Sequence, residues 1–311
     1  MIVKDTDLKE LQTSDNYIAL GSFDGLHLGH LSLIHKICEE AQKNNGKSIV
    51  YTFKDHPRAL LNLDNAPKLL MNNDEKLEIL EKCGVDMVYF QEFNSEFMKM
   101  TPRAFIEFLI DKFHLKGLVV GFNYKFGYKN TGNTDLLKEL QKEYGFELFI
   151  MEPCKCKGEV ISSTRIRNEI QEGNVCEACE MLGHPLRVSG EIVHGRQIGR
   201  TIGFPTANLD YDKKFILPAI GVYYTNVKVN NNIYKGITSV GNNPTVEGKK
   251  LTVETYILDF NEDIYGRNIE VFFIKKIRNE KKFSGIEQLK NQLEKDKSFA
   301  HNENYVSSLR I

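Results

Sequence analysis

Two histidines three residues apart lie in a glycine-rich stretch near the amino terminus, Gly21 to His30. Glycines let a backbone approach a ligand closely, and imidazoles donate hydrogen bonds to a phosphoryl oxygen on which charge builds. If a helix begins here, its unpaired N–H groups also favour an anion. His27 and His30 therefore predict a phosphate site, and the alternative is a tight turn with incidental histidines.

A second stretch, Ile161 to Arg167, combines three hydroxyl groups with two guanidiniums at the predicted start of a helix. The groups belong to Ser162, Ser163, Thr164, Arg165 and Arg167. Hydroxyls and guanidiniums at a helix start form an anion cradle. By itself the stretch could be a helix cap followed by a solvated face, but together with the histidine turn it predicts a second phosphate contact.

Glycines recur every four or five residues from Gly190 to Gly203, with Gly195 and Gly199 between them. The stretch is not a P-loop, because Gly195 is followed by Arg and Gln rather than by Lys and Ser or Thr. A mobile flap that folds over a nucleotide is another use of such glycines. We therefore expect Gly195 and Gly199 to lie near a bound nucleotide.

Thr206 and Asn208 follow this flap and are two residues apart, so their side chains point to one side of an extended segment. A hydroxyl and an amide oxygen are hard ligands of the kind that Mg²⁺ accepts beside water and phosphate. The other interpretation of this segment is a plain turn.

Glu254 lies in the middle of a predicted strand and shares a face with Thr252, Tyr256 and Leu258 by strand alternation. A carboxylate held on a semi-apolar face can accept a proton from a hydroxyl nucleophile. Glu254 is therefore a candidate general base, and the alternative is an exposed strand carboxylate.

Apolar runs and helical patterns alternate through the first half of the chain and predict the elements that position these residues. The predicted strands are 17–20, 48–53, 86–90, 117–121 and 146–151, and the predicted helices are 28–41, 73–82, 102–113 and 134–144. This order favours a mostly parallel sheet with helices on both faces, in which ligands bind at the carboxyl ends of the strands.

The second half is rich in β-branched and aromatic runs joined by turn residues. The predicted strands are 186–194, 221–229, 233–240, 251–260 and 268–277, followed by one helix over 284–297. This pattern predicts a small antiparallel barrel with a carboxyl-terminal helix. The change of character near Gly183 predicts domains 1–184 and 185–311.

Composition limits the classes of function. The chain has 311 residues with 41 Lys and Arg against 42 Asp and Glu, a net charge of −1. That balance argues against a general nucleic-acid binder. No apolar run is long enough for a membrane span, and the first eleven residues lack the apolar core of a signal peptide. We therefore expect a cytoplasmic protein without membrane or nucleic-acid partners.

Six cysteines are too few for a disulfide scaffold in a chain of this length. The pairs Cys154 and Cys156, and Cys176 and Cys179, could be read as a zinc site. The second pair lies in a predicted helix, 174–182, where the spacing also suits a buried face. We favour free thiols that pack as small hydrophobic groups, and expect no zinc.

The first half resembles the adenylyltransferase module of the bacterial bifunctional riboflavin kinase/FAD synthetase family. The resemblance is carried by Gly21–His30, Val119–Gly127 and Ile161–Arg167. It implies a Rossmann-like α/β nucleotidyltransferase domain in which His27 and His30 steady the ATP phosphates. It further implies that ATP contacts Gly21, Ser22, Phe23, Gly29, Ser162, Ser163, Thr164, Arg165 and Arg167.

Two positions of the first half depart from the family pattern. Asn123, which the resemblance places at the flavin, stands where the family usually has Asp, and Asn130 stands where Arg is common. Asn123 can still donate and accept hydrogen bonds, but it carries no charge.

The second half resembles the riboflavin kinase module of the same family in the order and spacing of its motifs. The matching segments are Pro205–Asn208, Leu217–Tyr223, Ser239–Thr245, Val253–Thr255 and Tyr265–Gly266. The resemblance implies that Thr206 and Asn208 organise Mg–ATP and that Glu254 is the catalytic base. It also places Arg278 and Phe283 where the family closes over the flavin.

The sequence as a whole thus predicts an enzyme that phosphorylates riboflavin with ATP and Mg²⁺ to give FMN, then adenylylates FMN to FAD with release of pyrophosphate. One alternative is a riboflavin kinase whose first half adenylylates poorly, because of Asn123 and Asn130. Another is a flavin-sensing protein that contacts RNA. The sequence leaves the oligomeric state open.

Overall fold

The computed structural model describes residues 14–55, 66–195, 198–245 and 248–304. The chain divides into two compact units between Ser162 and Ser163. None of the helices in these ranges is long and apolar enough to cross a membrane.

The first unit is built on a parallel sheet of five strands, as predicted. In chain order the strands are β1 Asn16–Leu20, β2 Lys47–Phe53, β3 Met87–Gln91, β4 Leu115–Gly121 and β5 Glu147–Met151. Their order in the sheet is β3-β2-β1-β4-β5, and all neighbours are parallel. The order reverses between β1 and β4, so the carboxyl ends of these two strands border the crevice where ligands bind in such sheets.

Helices cover both faces of this sheet. They are α1 Leu28–Lys43, α2 Asn73–Lys82, α3 Ser95–Met98, α4 Pro102–Phe113 and α5 Thr134–Tyr144, and a small hairpin of β6 Lys155–Cys156 and β7 Glu159–Val160 follows β5. α1 packs on β1, β2 and β4. On the other face, Ile18 and Leu20 of β1 share an apolar core with Phe105 and Leu109 of α4.

The starts of these helices follow from local sequence. The Thr101 hydroxyl accepts the Ala104 N–H at 3.2 Å, and Pro102 occupies the first turn, where its missing N–H costs nothing. Asn72 and Glu75 form a capping box at the start of α2. The predicted helices of the first half are therefore confirmed close to their predicted bounds.

The second unit begins with two helices and continues as a closed antiparallel barrel. The helices are α6 Ser163–Glu172 and α7 Val175–Leu182. The strands are β8 Leu186–Val193, β9 Thr206–Tyr211, β10 Gly221–Val229, β11 Asn232–Thr245, β12 Gly248–Ile257 and β13 Asn268–Arg278, with a short α8, Ile198–Thr201, and a final α9, Ile286–Asn302. Around the barrel the order is β10-β11-β12-β9-β8-β13. The predicted fold class is confirmed.

Side chains alternate between the barrel interior and its outer face. Thr225, Thr238 and Thr255 point inward, are fully buried and are linked by hydroxyl hydrogen bonds of 2.9 Å. On the outer face, Tyr224 and Ala300 of α9 belong to one apolar cluster. α9 therefore covers part of the outer surface of the barrel.

α6 and α7 group with the barrel, and α7 packs against β8 and β13. The functional boundary predicted after residue 184 lies just beyond α7 and stays a prediction.

Candidate active sites

The histidine turn follows β1 at the point where the sheet order reverses. Phe23, Gly25 and Leu26 all have left-handed backbone angles, with φ of 48°, 85° and 35°. A Cβ on Gly21 would lie 3.0 Å from the Phe23 ring, closer than real Cβ contacts normally are. Glycine at position 21 therefore lets the loop fold tightly against its own aromatic ring.

His27 caps α1 with its own side chain. Its Nδ1 accepts the backbone N–H of His30 at 3.2 Å, and the two imidazole rings stack with centroids 3.6 Å apart and planes 14° from parallel. Because Nδ1 is the acceptor, this geometry assigns the proton of a neutral His27 to Nε2. His27 can then donate to a ligand while it holds the helix start.

His30 is also desolvated. Its Nδ1 is buried without a hydrogen-bond partner in the described part of the chain, and the Phe23 ring meets it edge-on at 5.3 Å. Burial lowers the pKa of His30 well below 6.5, and the nearby His27 and Lys76 lower it further. A neutral His30 lets the rings stack without repulsion between two cations.

Asn123 lies in the turn after β4, closed by a hydrogen bond from the Tyr124 N–H to the Gly121 carbonyl. Since β1 and β4 are parallel neighbours, this turn leaves the same edge of the sheet as the histidine turn. Asn123 is exposed there. Asn130 follows in a short 3₁₀ turn, Tyr128–Asn130, with a left-handed φ of 56°.

The second anion motif lies at the start of α6, as predicted, and the division between the two units falls inside it. Ser162 ends the first unit, and the residues from Ser163 onward belong to the second. Ile166 is the fully buried member of the stretch. That Arg165 and Arg167 share one ATP site with the histidines stays a prediction.

In the second unit, strand pairing brings the predicted kinase residues together on the outer face of the barrel. Asn208 of β9 lies directly opposite Glu254 of β12, and Ser239 of β11 lies opposite Glu254 on its other side. The Thr206 hydroxyl donates to Glu254 Oε2 at 3.5 Å. A hydroxyl, an amide and a carboxylate thus line one half-buried patch.

Gly195 and Gly199 approach this patch closely. A Cβ on Gly195 would lie 2.3 Å from Asn208 Nδ2, and one on Gly199 would lie 2.2 Å from the Phe204 carbonyl oxygen. Only a residue without a side chain fits either position with its neighbour in place. The backbone at Gly195 therefore lies directly over the Asn208 amide.

Arg278 ends β13 and is held by the last helix. Its Nε and Nη2 donate to Asp296 Oδ2 at 3.0 and 2.7 Å, and the Phe283 ring lies 5.9 Å from the guanidinium. Asp296 is 1% exposed and also accepts the Gln292 amide at 2.8 Å. Arg278 and Phe283 are thus brought together, and Asp296, itself held by Gln292, fixes the guanidinium.

Sequence reasoning missed two charged residues beside these sites. Lys76 lies in the buried stripe of α2 with Ile79 and Leu80, and Asp296 lies in the buried stripe of α9 with Ala300. The available signal was a charged residue at a position where helical spacing calls for an apolar one.

The cysteines are all free thiols. The described residues contain no group of three or more His, Cys, Asp or Glu able to hold a metal ion. Burial raises the pKa of Cys176, and burial together with Cys38 raises the pKa of Cys83 to about 11, so neither is poised as a thiolate. The expected absence of zinc stays a prediction.

Comparison with known families addresses both units. A family model described as FAD synthetase matches residues 9–165, and one described as riboflavin kinase matches residues 182–303. The bifunctional riboflavin kinase/FMN adenylyltransferase of Listeria monocytogenes is 39% identical over 282 residues, which is 90% of this chain and 89% of the relative. The chain belongs to the bifunctional riboflavin kinase/FMN adenylyltransferase family.

A second curated relative and a solved structure are similar to nearly the whole chain. The bifunctional riboflavin kinase/FMN adenylyltransferase of Bacillus subtilis is 35% identical over 308 residues, 97% of this chain and 96% of the relative. A crystal structure from Streptococcus pneumoniae, described as a macrolide-efflux protein, is 34% identical with a TM-score of 0.87 and covers 98% of this chain and 99% of its own.

As a member of this family, the protein phosphorylates riboflavin to FMN with ATP and adenylylates FMN to FAD. The resemblance read from the motifs is confirmed over most of the chain.

Proposed function

We propose that the patch on the barrel carries out the kinase step, with Glu254 as the general base. The observation that carries this proposal is the pairing of Asn208 with Glu254 across β9 and β12, with the Thr206 hydroxyl on the same carboxylate. Glu254 accepts the proton of the ribityl hydroxyl as that oxygen attacks the γ-phosphorus of ATP. Gly195 and Gly199 lie over the nucleotide.

The oxygen donors of this patch fit Mg²⁺. Thr206 supplies a hydroxyl and Asn208 an amide oxygen, and both are hard ligands. When bound, Mg²⁺ neutralises phosphate charge during transfer. Thr206 and Asn208 would hold the ion, while Arg278 and Phe283 would close over the flavin.

The histidine turn carries out the adenylylation step in this proposal. His27 and His30 donate to the phosphates of ATP as the FMN phosphate attacks the α-phosphorus and pyrophosphate leaves. The α1 N-terminus and the residues Gly21, Ser22, Phe23 and Gly29 surround the same phosphates, and Asn123 faces the flavin. The α6 residues Ser162, Ser163, Thr164, Arg165 and Arg167 hold the β- and γ-phosphates.

The proposal also covers the binding partners and the cellular location of the protein. Its partners are the small molecules riboflavin, FMN and ATP, with no nucleic acid or membrane partner, and its location is the cytoplasm. The domains that act separately are 1–184 and 185–311. RNA binding that weakens steeply with salt would contradict this set of partners.

The deciding experiment is the product mixture from purified protein with riboflavin, ATP and Mg²⁺. We expect FMN first, then FAD and pyrophosphate. An end product of FMN alone would favour a kinase with a weak first unit, and would direct attention to Asn123 and Asn130.

Two experiments on metals test the Mg²⁺ requirement and the expected absence of zinc. Chelation should abolish both steps and added Mg²⁺ should restore them, because each step moves phosphate charge. Elemental analysis should find no stoichiometric zinc. About one zinc per chain, lost on replacement of Cys154 and Cys176, would overturn the free-thiol interpretation.

A further inference from the structure

Lys76 is a buried lysine, 5% exposed, beneath the histidine turn. Its Nζ donates to the Ser22 carbonyl oxygen at 3.0 Å and lies 3.4 Å from Thr52 Oγ1. The Thr52 hydroxyl donates to the same Ser22 carbonyl at 3.0 Å. Two donors, from α2 and from the end of β2, therefore converge on one backbone oxygen of the loop after β1.

The burial of this ammonium is costly for folding. Desolvation lowers the pKa of Lys76 to about 8, and the negative charge of Asp24 opposes that effect. Asp24 is itself buried and accepts the Leu70 N–H at 3.0 Å. An apolar side chain in this stripe of α2 would avoid the cost of burying a charge. The position of Lys76 is thus poorly explained by stability.

Lys76 can influence the reaction through its hydrogen bond to the Ser22 carbonyl oxygen. The next residue, Phe23, has a left-handed φ of 48°, and its ring meets His30 edge-on at 5.3 Å. His30 in turn stacks on His27 at 3.6 Å. A rotation of the peptide between Ser22 and Phe23 would move the Phe23 ring, and the two imidazoles would lose the surface that orients them.

We propose that Lys76 is a positioning residue for adenylyl transfer: it holds the Ser22 carbonyl so that Phe23 keeps His30 in the orientation that the transition state requires. The inference rests on the proposed role of His27 and His30. Lys76 acts through the loop, and no contact of its own with ATP or FMN is part of the proposal.

The test compares two lysines of α2 in the full-length protein. Lys76→Met removes the buried ammonium, whereas Lys82→Met removes an exposed one from the last turn of the same helix. For FAD formation from FMN and ATP, we expect Lys76→Met to lower kcat by roughly 10- to 100-fold, the scale of a misplaced catalytic group. The KM for ATP should change by less than about threefold, because the loss falls mainly on the transition state. Lys82→Met should match the wild type.

Two further measurements separate positioning from a general loss of structure. Riboflavin phosphorylation by the same Lys76→Met protein should be unchanged, and its thermal unfolding midpoint should stay within a few degrees of the wild type. Thr52→Val removes the second donor to Ser22 at nearly constant volume, and should lower kcat for FAD formation in the same direction. Wild-type kcat in both Lys76→Met and Thr52→Val would overturn the inference.

If Lys76→Met does not fold, Thr52→Val decides, because a wild-type kcat in a variant that lacks one of the two donors to the Ser22 carbonyl would contradict the inference that this carbonyl must be held in place. His30→Ala keeps the two proposals apart. If His30→Ala lowers FAD formation while Lys76→Met and Thr52→Val do not, only the positioning role is wrong. If His30→Ala makes FAD at the wild-type rate, the proposed adenylylation site itself is wrong.

Discussion

The two units place their reactive groups by different means. In the first, His27 and His30 lie within one turn at a helix start. A hydrogen bond from the His30 N–H to His27 Nδ1 fixes their relative position. In the second, Thr206 and Glu254 are 48 residues apart and meet because two strands pair. One site is therefore local in sequence, and the other is made by sheet register.

This difference determines which changes damage each site. A local turn depends on its residues with left-handed backbone angles and on the side chains that hydrogen-bond to its backbone. Here Lys76 and Thr52 both donate to the Ser22 carbonyl oxygen. A site made by register depends on every strand pair between its members, since a slip of one residue would turn a side chain to the other face.

The electrostatic settings differ as well. The first site contains a desolvated imidazole and a buried ammonium, both with lowered pKa values. In the second unit, the charged pair of Arg278 and Asp296 is largely buried, while the Glu254 patch is half-exposed. Lowering the pH should therefore reduce the stability of the first unit through His30, a residue of its candidate site.

The largest expected effect concerns the register site. Glu254→Gln keeps the shape of the side chain and removes the base, so FMN formation should fall by roughly 10²- to 10⁴-fold. FAD formation from supplied FMN should persist, because the histidine turn proposed for adenylylation lies in the other unit. Equal loss of both activities in a folded protein would contradict two separate sites.

The next effect concerns the local site. His30→Ala removes the donor proposed to face the developing charge and should lower FAD formation by roughly 10²-fold, while riboflavin phosphorylation continues and FMN accumulates. His35→Ala is the matched control, because His35 is exposed on the same helix. An equal loss in His35→Ala would show that the effect arises from α1 and not from the turn.

A smaller effect should follow from crowding the Asn208 amide. Gly195→Ala places a methyl group 2.3 Å from Asn208 Nδ2, so the amide must shift from its present position on the strand opposite Glu254. We expect the kinase step to fall by roughly 10-fold, mainly as a higher KM for Mg–ATP. Gly285→Ala, where a Cβ would meet no atom within 4 Å, should have no effect.

The smallest effect is on stability. Folded His30 stays neutral well below pH 6.5, whereas the unfolded chain takes up a proton as the pH falls through that value. The unfolded state then binds more protons, so the free energy of unfolding of the first unit decreases on the acid side. His30→Asn should reduce the drop in its melting temperature between about pH 7 and pH 5. His35→Asn should leave the drop unchanged.

Much of the fold could be predicted because its signals are short-range. Short apolar runs located the strands of the parallel sheet, and Thr101 with Pro102 marked the start of α4. The β9 strand is an instructive exception, since it was recognised only as an extended segment around Thr206 and Asn208. Its six residues alternate polar and apolar side chains, which is the pattern of a half-buried strand, and the buried Ala207, Leu209 and Tyr211 carry a signal that the sequence reasoning did not use.

The types of residue in the candidate sites were also evident from sequence, because glycines, histidines and hydroxyls cluster within a few positions. The tertiary structure alone decided which distant groups meet them. The hydrogen bond from Lys76 to the Ser22 carbonyl joins residues 54 positions apart. The ion pair of Asp296 with Arg278 joins α9 to β13. Such contacts depend on how whole elements pack, and local periodicity carries no information about which buried charge faces which backbone oxygen.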